Sequence, residues 1–128
     1  MIERKEYLEK LKKWKDKDLI KVITGIRRCG KSTLFDIYID YLKSIGIEDN
    51  HIISVNLENP DNEFDTYKEL YKYVKEQIKD KKQYYVFLDE VQKVSDFQKA
   101  VDGLYIMKNV DELVEKQIEH ELMQFKEL

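Results

Sequence analysis

Apolar positions change their spacing several times along this chain, and each change predicts an element. Tyr7, Leu8, Leu11 and Trp14 recur three or four apart among charged residues, the spacing of a short amphipathic helix with a lysine-rich polar face. Leu19 to Thr24 is a β-branched run ending at Gly25, as a buried strand ends when it meets a turn. Leu34, Ile37, Tyr38, Tyr41, Leu42 and Ile45 then follow a helical period, and Gly46 stands where a glycine would stop the helix. His51 to Leu57 predicts a second strand, and Asn59, Pro60, Asp61 and Asn62 supply turn chemistry and a candidate cap. Phe64, Tyr67, Leu70, Tyr71, Val74 and Ile78 trace a second helix. Tyr84 to Leu88 is apolar or aromatic throughout and ends at Asp89 and Glu90; it is too short for a helix and fits a central strand.

Beyond that strand, Ser95 with Gln98 three residues on has the form of a capping box. Phe97, Val101, Leu104 and Met107 predict a third helix despite the cost of Gly103 inside it. Val110, Val114, Ile118, Leu122 and Phe125 again repeat at helical spacing, so residues 110–128 are expected to form an amphipathic helix. Strands alternating with helices predict an α/β fold, a parallel sheet covered on both faces.

Composition narrows the picture. At 128 residues with 42% hydrophobic side chains, the chain is long enough for one core and short for two. The net charge of −3 is too small to imply nucleic-acid binding, and the acidity is concentrated at one end. Residues 1–109 carry 21 basic and 20 acidic side chains, whereas residues 110–128 carry 2 and 6. One cysteine excludes a disulfide framework, and His51 and His120 have no metal-ligand spacing. No apolar run is long enough to span a bilayer, and Glu3, Arg4, Lys5 and Glu6 stand where a secretory signal needs apolar residues. A cytoplasmic setting is therefore expected.

Chemistry enters at the end of the first strand. Gly25-Ile26-Arg27-Arg28-Cys29-Gly30-Lys31-Ser32 matches the phosphate-binding pattern G-x-x-x-x-G-K-[ST] without mismatch, between a predicted strand and a predicted helix. Its glycines let backbone N–H groups turn inward, and the helix N-terminus adds positive potential, so a polyphosphate can be cradled there. Lys31 would reach the β and γ phosphates, Ser32 would ligate Mg²⁺, and Thr33 would donate near the α phosphate. The strand ending in Asp89 and Glu90, 58 residues after Lys31, delivers two carboxylates to the edge of the sheet. Asp89 would hold Mg²⁺, and Glu90 would orient and deprotonate the attacking water, a pairing of the Walker B kind.

Several weaker signals keep two readings each. Arg27 and Arg28 are either phosphate forks or solvated loop residues. Cys29 is either a thiol activated by the helix terminus or an incidental small residue. Asn56 or Glu58 either senses Glu90 across the sheet or is solvated. The lysines at 10, 12, 13, 15 and 17 are diluted by Glu9, Asp16 and Asp18, so nucleic acid is not an expected partner.

Together these motifs, with Val55-Asn56-Leu57-Glu58-Asn59-Pro60 and Leu88-Asp89-Glu90-Val91-Gln92, resemble the AAA-like P-loop ATPases of archaea and bacteria over residues 1–109. In those proteins a nuclease-like or helical domain follows the ATPase core. The resemblance implies MgATP as the ligand, and the guanine-reading Asn-Lys-x-Asp motif is missing. It also implies a further strand, ending in a sensor, between the P-loop strand and the Walker B strand. The sequence offers a helix at that point instead. The expectation is thus a partial P-loop domain over 1–109, truncated after the Walker B strand and its helix, that binds MgATP and hydrolyses it slowly or not at all. An alternative is a catalytically dead interaction module. Its tail stripe would pair with a second copy or with a full-length relative.

Overall fold

The computed structural model describes residues 8, 9, 12, 13, 15, 21–25, 31–117 and 124–127, with side chains for 8, 9, 12, 13, 15, 21 and 35–114. Its elements are β1 (Lys21–Gly25), α1 (Lys31–Ser44), β2 (Ile52–Asn56), α2 (Tyr67–Lys75), β3 (Tyr84–Asp89), α3 (Phe97–Ile106), β4 (Val110–Gln117) and β5 (Gln124–Glu127). The sheet runs in the order β2-β3-β4-β1-β5. The first four strands are mutually parallel, and β5 pairs antiparallel to β1. The fold is α/β, with helices flanking a parallel sheet, as its alternating pattern predicts.

Right-handed crossovers fix which helix lies on which face. From β1 the chain passes to the far edge at β2, then steps back through β3 and β4, so the helix of the first crossover belongs on the face opposite the other two. Packing follows that rule. Phe35, Tyr38 and Leu42 of α1 pack with Tyr85 and Phe87 of β3 and Leu113 of β4 on one face. Leu70 and Val74 of α2 and Ala100, Val101 and Leu104 of α3 pack with Tyr84, Val86, Leu88 and Val114 on the other. All six residues of β3 are buried, which is why that segment reads as an unbroken apolar run. The Phe87 ring meets Phe35 edge-on at 5.3 Å and Tyr38 at 6.0 Å, contacts worth about 0.5–1.5 kcal/mol each beyond area burial.

Local chemistry explains the boundaries. Gly46 lies beyond the last turn of α1 with φ of 99°, the left-handed geometry that a glycine takes without cost. Asn59 accepts from the Asp61 N–H and caps a short turn at Pro60–Asn62, while Thr66 accepts from the Glu69 N–H and caps α2. Gly103 admits α2 against α3, since a Cβ there would stand 2.8 Å from Cε1 of Tyr71. The expected capping box at Ser95 does not form. α3 begins at Phe97 after Asp96 in a left-handed conformation and has no side-chain cap, so Ser95 falls outside the capping position.

The expected helix over 110–128 is the larger correction. Residues 110–117 are strand β4 and residues 124–127 are strand β5, while the intervening Ile118 and Leu122 lie outside the described residues. β4 occupies the slot between β1 and β3 that the sequence left vacant. Backbone pairing supplies the reason. A gap there would strand the inner N–H and C=O groups of both β1 and β3, and β4 satisfies both rows. The sheet therefore continues past α3, and among the described residues of the tail none forms the helical stripe on which the interaction-module reading rests. Val114 is buried in the sheet core.

A charged pair fastens β4 to β1. Lys21 Nζ donates to Asp111 Oδ1, with both side chains almost completely buried. Glu112, the next residue, faces the α2–α3 side and is 1% exposed, and neither of its carboxylate oxygens has a hydrogen-bond partner among the described residues. Loss of hydration holds its carboxyl well above the usual range, reinforced by the charges of Asp102 and Asp111 and opposed by Lys21.

At the N-terminus, Leu8 packs against the α1-side cluster, and Tyr7, Leu11 and Trp14 lie outside the described residues. Lys12 Nζ stands 4.6 Å from the Tyr41 ring and Lys15 Nζ 5.4 Å from the Tyr85 ring. Those two lysines cover aromatic surface. Among the described residues no helix is long and apolar enough to cross a membrane.

Candidate functional site

Parallel strands deliver their following loops to one edge, and ligands of open α/β sheets bind outside the carboxyl ends where the crossover direction reverses. Here that edge lies between β1, followed by a helix on one face, and β3, followed by a helix on the other. Strand β1 ends at Gly25, and Lys31, Ser32 and Thr33 are the first residues of α1. Ile26, Arg27, Arg28, Cys29 and Gly30, expected to line the same loop, lie outside the described residues. The backbone thus joins the strand to the N-terminal end of a 14-residue helix that has no acidic residue in its first turn. The positive end of the helix dipole is consequently uncompensated by a neighbouring carboxylate of that turn.

Asp89 is the last residue of β3. Side chains alternate along a strand, so Asp89 shares its face with Tyr85 and Phe87, the face covered by α1. It is 8% exposed, and its carbonyl accepts from the Leu57 N–H at 2.9 Å, tying the end of β3 to the end of β2. The order of strands then sets lateral spacing. β4 lies between the P-loop strand and the strand of Asp89, with Gly25 in register with Gln117 and Leu88 in register with Val114.

Glu90 departs from expectation in one respect. On an extended chain it would point opposite to Asp89, but it has φ of 60° and ψ of 42°, so alternation stops there and the chain turns sharply out of the sheet. A left-handed conformation costs a residue with a Cβ about 1 kcal/mol or more, and such strain gathers at functional positions. Glu90 is 4% exposed. Gln92 Nε2 donates to Glu90 Oε1 at 2.6 Å, and the Lys93 N–H donates to the Glu90 carbonyl at 3.1 Å. The sequence alone does not reveal Gln92 as a partner of Glu90. Its signal was a lone amide two positions after an acidic pair, which becomes a contact only once the turn is known.

Asn56 is in register with Asp89 at the same edge. Its side-chain oxygen accepts from the Glu58 N–H at 3.0 Å, and its carbonyl accepts from Asn62 Nδ2 at 3.0 Å. These bonds commit Asn56 to shaping the β2–α2 loop. His51 is buried edge-on against Tyr84 at 4.8 Å, away from this edge of the sheet at the start of β2.

Comparison with known proteins agrees with this architecture. A model of the AAA domain family matches residues 17–116, which runs from before β1 into β4. An uncharacterized protein of Haemophilus influenzae is 36% identical over 113 residues, 87% of this chain. The chain spans 28% of that relative's length. No solved structure matches. The family match covers the P-loop pattern, the strand that carries Asp89 and the strand between them, and on that extent the chain belongs to the AAA domain family.

Proposed function

We propose that this chain binds MgATP at the carboxyl edge of its sheet and that Glu90 is the base for ATP hydrolysis. The observation that carries the proposal is the convergence of two elements on that edge: α1 opens there with Lys31, Ser32 and Thr33, and β3 ends there with Asp89 on the face that α1 covers. The residue types suit the ligand. A helix whose first turn carries no acidic residue favours a polyphosphate at its N-terminus, and a carboxylate and a hydroxyl are oxygen donors of the kind magnesium prefers.

In this reading the backbone of residues 25–30 wraps the phosphates, Lys31 places a point charge at the β and γ positions, and Thr33 donates near the α position. Ser32 and Asp89 would hold Mg²⁺, which when bound neutralises charge on the phosphate oxygens. Glu90 accepts the proton of the attacking water, a role worth roughly 10²–10⁴ in rate when the water is held in line. Finding β4 between β1 and β3 removes the reason for expecting binding without turnover, because the strand that spaces the two motifs is in place.

Titration calorimetry tests the binding step. Wild type is expected to bind MgATP with micromolar affinity, about −8 kcal/mol, and Lys31→Ala to lose most of it. Equal affinity in the two proteins would overturn the proposal.

A further inference from the structure

We infer that Gln92 is a positioning residue for Glu90, holding its carboxylate in one orientation at the sheet edge; the inference rests on the reading of Glu90 as the base. The turn after β3 is built to bring the two together. Val91 is 0% and Val94 3% exposed, both sunk into the α2–α3 core, and the Val94 N–H closes the turn onto the Val91 carbonyl at 3.1 Å. With those two side chains anchored, Gln92 between them is directed back toward the sheet edge, where its amide reaches Glu90.

The chemistry of the contact indicates more than a brace for the turn. A fold that needed only a left-handed residue at this point would be served at lower cost by glycine or asparagine. Glutamate adds strain and a carboxylate that is almost wholly removed from water. At 2.6 Å the amide N–H is close enough to fix the direction of the carboxylate to which it donates. An amide is suited to this task. It donates without carrying a charge that would compete for the proton a base must accept.

The test uses the full chain with steady-state and single-turnover ATPase assays on wild type, Glu90→Gln, Gln92→Leu and Gln92→His. Gln92→Leu is expected to lower kcat and the single-turnover rate about tenfold with KM within twofold, since Glu90 loses the donor that fixes its direction. Gln92→His, which keeps an N–H donor, should restore part of the loss. A purely structural Gln92 would lower thermal stability and leave the single-turnover rate of the folded protein in place, and that result overturns the inference while Glu90→Gln still abolishes turnover. Turnover unchanged in Glu90→Gln, or absent from wild type, overturns the reading of Glu90 and the inference with it.

Discussion

Replacing Glu112 by leucine is expected to make this protein more stable at neutral pH, by an amount that grows with pH. Glu112 lies in the middle of β4 with 1% exposure and no hydrogen-bond partner for either oxygen among the described residues. Its carboxyl is held well above the usual range, first by loss of hydration and then by Asp102 and Asp111. In the unfolded chain the same group titrates near its ordinary value of about 4.3. Each pH unit through which the folded chain keeps this proton and the unfolded chain does not costs about 1.36 kcal/mol. A buried polar group left unsatisfied costs about 1–3 kcal/mol, so the expected gain for Glu112→Leu is in that range, or roughly 4–12 °C in Tm.

The sign follows from proton binding. Between the unfolded and folded pKa values the native state holds one more proton than the unfolded state, so wild-type stability falls as pH rises through that window. Below about pH 4 both states are protonated, and the difference between the proteins shrinks to packing alone. Urea unfolding of both proteins from pH 4 to pH 8 measures it. Equal stabilities at pH 7, or a gap wider at pH 4 than at pH 7, would refute the placement of Glu112 inside the sheet.

Lys21→Met is expected to destabilise the fold by about 3–5 kcal/mol in urea melts, because it leaves Asp111 charged and buried; Lys21→Met with Asp111→Leu should recover most of that loss. Gly103→Ala should cost about 1 kcal/mol net despite the better helix propensity of alanine, since the new methyl stands 2.8 Å from the Tyr71 ring; a Tyr71→Leu background should remove that cost in the same melts.

The elements that the sequence revealed are those whose stability is local or whose burial is uniform. β3 is buried on both faces and so is apolar without interruption, while α1 and α2 carry a stripe on one side and their own caps or stop signals. β4 was illegible because its middle reads Asp111-Glu112, one charge for each face of the sheet, so neither face shows an apolar row. The charge on one face is answered by Lys21, 90 residues away, a pairing that has no meaning until register is known. The carboxyl on the other face has no hydrogen-bond partner among the described residues, and Val110 and Val114 around it mimic a helical repeat.

The site divides in the same way. The placement of Lys31 and Ser32 at the start of α1 and of Asp89 at the end of β3 was legible because a contiguous motif and a strand end fix it locally. Gln92 was not, because its contact with Glu90 depends on one backbone torsion that the letters Asp-Glu-Val-Gln do not encode.

The central claim is that the P-loop end of β1 and the carboxylate end of β3 form one magnesium–nucleotide site across β4. The direct measurement is ATP affinity by calorimetry with Mg²⁺ and with EDTA, in wild type and in Asp89→Asn. The account predicts that Mg²⁺ strengthens binding to wild type by about tenfold or more and that Asp89→Asn loses this gain while keeping the metal-free affinity. An identical response to Mg²⁺ in the two proteins would contradict it.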